Sequence, residues 1–538
     1  MLGKLFGGLT TAADSMVTLA RAGLIRPERP DTLARVGIEL ARRGPLALVV
    51  GAGALRYGDR TAFVDELGGL SYRDLDRRSN ALANAWIEAG IQPGEGIAIL
   101  ARNHRGFVDA LFAAAKAGLR IVLVNTEFAG PQIADVCERE NLPNIVFDAE
   151  YEDRVPRLRR RFRAWGDGEP AGELPDLEQL IAAGSPEPVS PPGEPPELVL
   201  LTSGTTGAPK GAARSQAGSI TNLTAMLERV PFRARESTYV APPCFHALGL
   251  GTLIMGIGFG STVVTARRFD AAAVLDGIER HSCTALIAVP AMLQRILALG
   301  PEEISARDHS SLRIILSSGS QLPGPVASEL LEAFGDVLHV LYGSTEVAYV
   351  TISTPADHRA APASVGRPVR GVELRLLDDD GEGVPRGETG RIFVSTGLEF
   401  SGYTDGGGKE VIDGYMASGD LGHLDAGGRL HIDGRDDDMI VSGGENVFPQ
   451  EVEELLIAAP GVADVAVAGV EDERFGQRLA AWVVAAPGAA PTEDELRSYV
   501  GARLARFKVP RDIHLVGELP RNATGKILKR QLREPGGV

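Results

Sequence analysis

Short, uniformly apolar runs alternate along the chain with longer amphipathic stretches. Gly96-Ile-Ala-Ile-Leu is apolar throughout and predicts a buried strand after a helix over Asp74–Ala89. Phe107–Ala117 predicts the next helix and Ile121-Val-Leu-Val the next strand. The same strand-then-helix order returns in Leu286-Ile-Ala-Val with Met292-Leu-Gln-Arg-Ile-Leu, and in Leu312-Arg-Ile-Ile-Leu with Val326–Phe334. Such alternation predicts an α/β fold with mainly parallel sheets covered by helices. Glu373-Leu-Arg-Leu-Leu, Gly390-Arg-Ile-Phe-Val and Leu430-His-Ile predict a more antiparallel subregion. No internal repeat is visible.

The pattern changes after Gly434. A helix at Pro449-Gln-Glu-Val-Glu-Glu-Leu-Leu, strands at Val462–Val470 and Leu479–Val484, and a helix over Glu493–Leu504 suffice for a small α+β domain. The expected division is therefore a large domain over 1–433, with a helical extension at 1–58, and a small C-terminal domain over 434–538. The boundary falls in Asp433-Gly-Arg-Asp-Asp-Asp. Gly166–Pro196, rich in Pro, Gly and Glu, reads as a surface linker.

Two stretches have a membrane-like look. Met1–Ala13 carries one lysine and a short apolar run, but Asp14 and Arg21 interrupt it, which suits an N-terminal helix better than a signal peptide. The apolar residues of that helix, with Arg21, also suit a membrane surface. Tyr239–Ala266 lacks Asp, Glu, Lys and Arg, yet Pro242, Pro243, His246 and glycines at 249, 251, 256, 258 and 260 favour a buried loop, helix and strand over a spanning helix. Gly256-Ile-Gly258-Phe-Gly260 lacks the last glycine of a dinucleotide fingerprint.

A chain of 538 residues is long enough for two or more domains. Its net charge of -16 argues against non-specific nucleic-acid binding, although a phosphate pocket needs only a few placed donors. Cys137, Cys244 and Cys283 are far apart, with no CxxC pair, so a metal cluster or disulfide framework is not expected and a reducing, cytoplasmic setting fits.

The most informative string is Leu201-Thr202-Ser203-Gly204-Thr205-Thr206-Gly207-Ala-Pro-Lys210-Gly, which follows the strand-like Glu197-Leu-Val-Leu-Leu. Glycines let backbone N–H groups approach phosphate oxygens, hydroxyls add donors, and Lys210 adds a cation. The spacing is wrong for a Walker A loop. A flexible polar turn is the plain alternative.

This string resembles the phosphate loop of the adenylate-forming superfamily, which comprises acyl-CoA synthetases, luciferases and peptide-synthetase adenylation domains. Further segments resemble that family's motifs in order: Pro243-Cys-Phe-His246-Ala-Leu-Gly before the acyl pocket, Ser318-Gly319-Ser320-Gln321-Leu facing adenine, Tyr342-Gly343-Ser344-Thr345-Glu346, Ser418-Gly-Asp420 for ribose, Gly434-Arg435 through Gly443-Gly444 to Glu451 at the hinge, and Pro520-Arg-Asn-Ala-Thr-Gly-Lys526-Ile-Leu. The resemblance runs from about Asp59 onward.

By that resemblance Lys526, Glu346, Thr202 and His246 are the catalytic candidates, and Glu346 the magnesium ligand. A carboxylate suits a hard cation that shares its shell with phosphate. Asp420 can accept two hydrogen bonds from a ribose diol, and Arg435 offers a planar fork to ribose or phosphate. Lys526 would stabilise charge on the α-phosphate and substrate carboxylate. The plain alternatives are a surface glutamate, a turn-capping aspartate, an interdomain ion pair and a solvated lysine. His246 orients or gates the acyl group, or is a satisfied core histidine.

The resemblance implies ATP, Mg2+ and coenzyme A: a carboxylic acid first becomes an acyl-adenylate, then a thioester. In the family the small domain rotates between the halves, with the hinge here at Asp437 and the Gly443-Gly444 surface serving the second half. Length, the Ser-Gly-Gly-Glu-Asn-Val-Phe-Pro string and the N-terminal extension are most similar to bacterial long-chain fatty-acid–CoA ligases, so a medium- or long-chain fatty acid is the expected substrate. The glycines after His246 would leave room for a chain, or permit close helix packing. Alternatives are an aryl-CoA ligase, an enzyme loading a separate carrier protein, and a non-catalytic acyl or nucleotide binder. Peripheral membrane contact and a homodimer are compatible with the sequence. Gln216 stands where the family often has His.

Overall fold

The computed structural model describes residues 14–28, 30–166, 174–193, 195–203, 209–213, 220–344, 346–397, 408–436, 440–442, 445–447, 449–472, 476–504, 508–522 and 525–533. The chain forms two compact units. One comprises Met1–Ala288, Ala298–Leu316 and Phe400–Gly408; the other comprises Val289–Leu297, Ser317–Glu399 and Lys409–Val538.

In the first unit, the buried apolar runs become a six-stranded sheet ordered Arg160–Trp165, Asn144–Asp148, Gly96–Leu100, Arg120–Leu123, Glu197–Ser203, Pro209–Ala213. Its first four pairings are parallel and the last is antiparallel. Gly96–Leu100 and Asn144–Asp148 are buried at every position, which explains the absence of polar alternation in their sequences. The helix Tyr72–Glu88 starts at a capping box between Ser71 and Asp74. The helix Arg105–Lys116 is capped by His104, whose Nδ1 accepts the Gly106 N–H at 3.0 Å. His104 Nε2 lies 2.8 Å from Asp148 Oδ1, with both side chains fully buried. A second sheet of this unit runs Ala285–Ala288, Ser237–Val240, Thr262–Val264, Thr61–Asp65, Gly68–Ser71.

The uncharged stretch Tyr239–Ala266 is buried loop, helix and strand, as its glycines and prolines suggest. The helix is Ala247–Gly258, and the strand Thr262–Val264 follows it. No helix among the described residues is long and apolar enough to cross a membrane. The segment read as a linker over Gly166–Pro196 is corrected in part: Leu177–Ala183 is a helix, whose cap Asp176 accepts the Glu178 N–H. Leu177 is buried, so this short apolar stretch folds onto the unit despite its Pro- and Glu-rich flanks.

In the second unit Leu338–Ser344 and Ala348–Ser353 form an antiparallel hairpin extended by Arg367–Pro368. The expected antiparallel subregion is a five-stranded sheet, with Glu373–Leu377 beside Gly390–Ser395, then Tyr415–Leu424, which also pairs with Val411–Ile412 and Leu430–Arg435. A third sheet contains Glu445–Val447, Ile440–Ser442, Gly476–Ala485, Val462–Asp472 and Asp512–Val516. The helices Pro449–Ile457 and Glu493–Gly501 bury Val452, Leu456, Leu496 and Val500 with Val467, Ala481 and Val483 from that sheet. The fold is thus mixed α/β with parallel sheets, a large N-terminal part and a smaller C-terminal one.

Candidate active site

Asp420 is the centre of the best-defined cluster. Tyr415–Leu424 and Leu430–Arg435 pair so that Asp420 faces Arg435 across the ladder. Tyr342 Oη donates to Asp420 Oδ2 at 2.7 Å, and Arg435 Nη1 lies 3.4 Å from Oδ1. The Asp420 N–H donates to Ser418 Oγ at 3.1 Å, which fixes the turn before the carboxylate. Burial pushes the Asp420 pKa up, while Arg435, the Tyr342 hydrogen bond, Lys526 and Lys409 act in the other direction. Burial, with Asp420 beside it, keeps the Tyr342 phenol protonated well beyond its ordinary range. Each carboxylate oxygen has two lone pairs, so both keep acceptor capacity for a diol.

Lys526 is exposed at the end of a tight loop. Its N–H donates to Asn522 Oδ1 at 2.8 Å, and the Asn522 N–H donates to the Lys526 carbonyl at 2.9 Å. Gly525 has φ +76°, and a Cβ there would sit 2.9 Å from Ala291 Cβ, so this turn needs glycine for both backbone and space. Arg521 braces the loop through the Gly525 carbonyl and Asp464, each at 2.5 Å.

Glu346 follows the strand Leu338–Ser344, and Ser344 Oγ accepts the N–H groups of Glu346 at 3.2 Å and Val347 at 3.4 Å. This hydroxyl turn fixes the backbone that carries the carboxylate. Gly343 lies against the Ala348 carbonyl, leaving no room for a Cβ. In the turn expected to face adenine, Gly319 has φ +92° and Gln321 Nε2 donates to Glu454 Oε1 at 2.7 Å. Just before it, Ser317 Oγ is buried with no partner.

In the first unit the phosphate string forms a hairpin. Glu197–Ser203 pairs antiparallel with Pro209–Ala213, with Thr202 opposite Lys210 and Ser203 opposite Pro209. The side chains of Thr202, Ser203 and Lys210 lie outside the described residues, as do Gly204, Thr205, Thr206, Gly207, Gln216, Thr345, Asp437, Gly443 and Gly444. His246 precedes the helix Ala247–Gly258 without a side-chain capping bond. Its ring tilts against Phe245 at 4.5 Å, its Nε2 is buried without a partner, and burial lowers its pKa to about 4. Burial thus favours the neutral imidazole, and its Nε2 has no hydrogen-bond partner among the described residues.

Some residues at these sites carry no motif. Asn103 accepts the Cys244 N–H at 2.7 Å and donates to the Pro242 carbonyl at 2.8 Å, clamping the loop that presents His246. Its only sequence signal is a polar residue just past the end of a buried strand. Lys409 and Glu454 likewise read as ordinary surface charges. The glycines near His246 serve packing more than room: a Cβ at Gly249 would strike the Pro243 carbonyl, and one at Gly256 would sit 2.7 Å from Val263 Cγ2. Only at Gly251 is the space beside the helix open among the three.

Comparison with known proteins agrees with this geometry. Residues 52–404 match the AMP-binding enzyme family, and residues 451–526 match the AMP-binding enzyme C-terminal domain. Feruloyl-CoA synthase from Amycolatopsis sp. is 36% identical over 476 residues, covering 87% of this chain and 94% of that enzyme. Long-chain-fatty-acid–CoA ligase FadD13 from Mycobacterium tuberculosis is 29% identical over 476 residues, covering 86% and 93%. The anthranilate CoA ligase AuaEII, solved in complex with anthranoyl-AMP, is similar with TM-score 0.80 and 26% identity, covering 91% of this chain and 96% of that one. This chain belongs to the AMP-binding enzyme family, the adenylate-forming superfamily, as an AMP-forming acid–thiol ligase of the kind that uses ATP, Mg2+ and coenzyme A.

Proposed function

We propose that the protein activates a ring-bearing carboxylic acid with a polar substituent, and passes it to coenzyme A. The observation that carries this substrate class is the unpartnered His246 Nε2. A hydroxyl or amino group on a substrate ring would satisfy that atom, whereas an alkyl chain would leave it buried and unmet, at a cost of about 1–3 kcal/mol. The similarity to a feruloyl-CoA synthase and an anthranilate CoA ligase supports the same class. A fatty acid, the class favoured by the sequence, is the second reading. It is supported by the similarity to the long-chain relative.

In this reading the substrate carboxylate oxygen attacks the α-phosphorus of ATP and pyrophosphate leaves. The coenzyme A thiol then attacks the acyl carbon, and AMP leaves with the bonding pair. The hairpin Thr202–Lys210 supplies donors to the phosphates, with Ser203, Gly204, Thr205, Thr206 and Gly207 between. Asp420 accepts from the ribose hydroxyls, with Tyr342 and Arg435 holding its carboxylate in place. Gly319, Ser320 and Gln321 border the base. Lys526, on its braced loop, meets charge on the α-phosphate and carboxylate. Glu346, a hard oxygen donor on a fixed turn, would be the residue that holds a magnesium ion. Such an ion neutralises phosphate charge when bound. Residues 434–538 act as the moving domain, with Asp437 as hinge and Gly443 and Gly444 serving the thiol step.

The test is AMP release from the full chain with ferulic acid, anthranilic acid and a series of straight-chain fatty acids, each with and without coenzyme A. A preference for the hydroxylated or aminated ring acids, with CoA-dependent thioester, is expected. Selective turnover of the fatty acids would replace this substrate class with the second reading. Turnover that ignores coenzyme A would shift the acceptor to a carrier protein or another nucleophile.

A further inference from the structure

The N-terminal arm anchors itself through hydroxyls and Ala22 while leaving its larger apolar side chains exposed. In the helix over residues 14–21, Ser15 Oγ bonds to Thr224 Oγ1 at 3.1 Å and Thr18 Oγ1 donates to Glu228 at 3.3 Å. Its hydroxyls therefore face the first unit, while Met16 and Val17 are 56% and 48% exposed. The helix Pro30–Tyr57 continues the theme. At Gly44, with φ 73° and ψ 172°, and Pro45 it kinks into two parts. The part after the kink is anchored, with Ala47, Leu48 and Val50 buried. The part before it is not. At 100° per residue, Ala34, Val36, Gly37, Ile38 and Leu40 fall on one arc, and Arg35, Glu39 and Arg42 on the other. Its apolar arc faces solvent, with Ile38 50% and Leu40 47% exposed.

Ten large apolar side chains are exposed among the described residues, and Met16, Val17, Ile25, Ile38 and Leu40 supply half of them from this one arm. That concentration sets the arm apart from the singly scattered exposed apolar residues elsewhere among the described residues. Charge selects the partner. Residues 14–57 carry seven arginines against four carboxylates, in a chain of net charge -16. An apolar arc flanked by arginines suits the boundary between headgroups and acyl chains of an anionic bilayer. The acidic body is repelled by the same surface, which orients the chain with its arm toward the lipid. A second copy of this chain would bring like-charged arms together.

We infer that residues 14–28 and 30–42 form a reversible docking surface for an anionic lipid bilayer, with Ile38 and Leu40 inserted among the headgroups and Arg35 and Arg42 pairing with lipid phosphates. The test is flotation of the full chain with vesicles of phosphatidylcholine alone, and of phosphatidylcholine mixed with phosphatidylglycerol, at low and high salt. Binding is expected to the anionic vesicles only, and to fall with salt. Arg35→Gln with Arg42→Gln should weaken it about 25-fold, at roughly fivefold per arginine. Ile38→Ser with Leu40→Ser should abolish it while leaving AMP release from a soluble acid and the melting temperature unchanged, because both side chains are exposed. No flotation with anionic vesicles, or flotation that survives both pairs of substitutions, would overturn the inference. Self-association that Ile38→Ser with Leu40→Ser abolishes, without vesicle binding, would overturn it in favour of a second copy.

Discussion

Gln321 donates its side-chain amide to Glu454 at 2.7 Å, joining the turn after Ser317 to the helix Pro449–Ile457. Burial pushes the Glu454 pKa up, a hydrogen bond with Gln450 opposes it, and Asp433, Glu453 and Glu451 nearby add to the rise. The contact links a residue of the expected adenine turn to the C-terminal domain that carries Lys526. Under the proposed movement of residues 434–538, the change of pose breaks it.

Glu454→Ala should therefore slow the half-reaction in which this contact is made and spare the other. A net hydrogen bond of about 1 kcal/mol corresponds to roughly fivefold. Pyrophosphate exchange is expected to fall by about that factor, with thioester formation from supplied acyl-adenylate unchanged. A double-mutant cycle with Gln321→Ala should show that the two losses are not additive. Equal slowing of both halves would count against the contact being specific to one pose.

Lys526 is exposed on a loop held by backbone and Asn522, so its removal should leave the fold intact. Lys526→Ala is expected to lower adenylate formation by roughly 100- to 1,000-fold, the scale for losing one placed charge-stabilising donor. Thioester formation from supplied acyl-adenylate should persist. Unchanged ATP consumption would remove Lys526 from the first half-reaction.

The Asp420 cluster separates binding from chemistry. Tyr342→Phe deletes the 2.7 Å hydrogen bond but keeps the ring, and should raise the KM for ATP roughly fivefold with little change in kcat. Asp420→Ala also removes the ion pair with Arg435 and should raise KM further. An effect on kcat alone would contradict a ribose-holding role.

How much of this was legible in the sequence follows from physical range. Gly96–Leu100 and Ala285–Ala288 are buried on both faces, so their apolar runs announce strands directly. Tyr342, Asp420, Arg435 and Lys526 stand out through their resemblance to family motifs, and the structure brings the first three together. The helix Leu177–Ala183 was hidden by its flanks, and its one buried anchor, Leu177, gives no period. Asn103 clamps a loop 139 residues away through ordinary hydrogen bonds, and no local pattern records that. The glycines after His246 were ambiguous because an absent side chain reads the same whether it leaves a cavity or admits a neighbour. The structure assigns Gly249 and Gly256 to packing.

Gly343 tests that distinction at the site itself. A methyl group there would collide with the Ala348 carbonyl within the hairpin that carries Glu346. Gly343→Ala should cost about 3 kcal/mol of stability by denaturant unfolding. Gly251→Ala, on an exposed part of the helix Ala247–Gly258 where a Cβ meets no packed neighbour within 4 Å, should cost nothing and stabilise by up to about 1 kcal/mol.

His246 gives the last prediction, because burial affects both its charge and its unmet nitrogen. Its folded pKa of about 4 lies below the ordinary 6.5. As pH falls through 6.5, the unfolded chain takes up a proton that the folded chain refuses until about pH 4. Folded stability attributable to this residue is therefore full above pH 6.5 and declines by up to about 1.4 kcal/mol per pH unit across that window. His246→Phe removes the titration, so its stability relative to the unsubstituted chain should rise steadily as pH is lowered from 6.5 to 4 and stay constant above. The same substitution bears on substrate choice. If Nε2 is satisfied by a polar group on the substrate ring, kcat/KM should fall roughly tenfold for ferulic or anthranilic acid and hold or rise for an unsubstituted ring. A flat stability difference across the pH window would show that His246 is not buried neutral. Equal losses for substituted and unsubstituted acids would show that its nitrogen does not read the substrate.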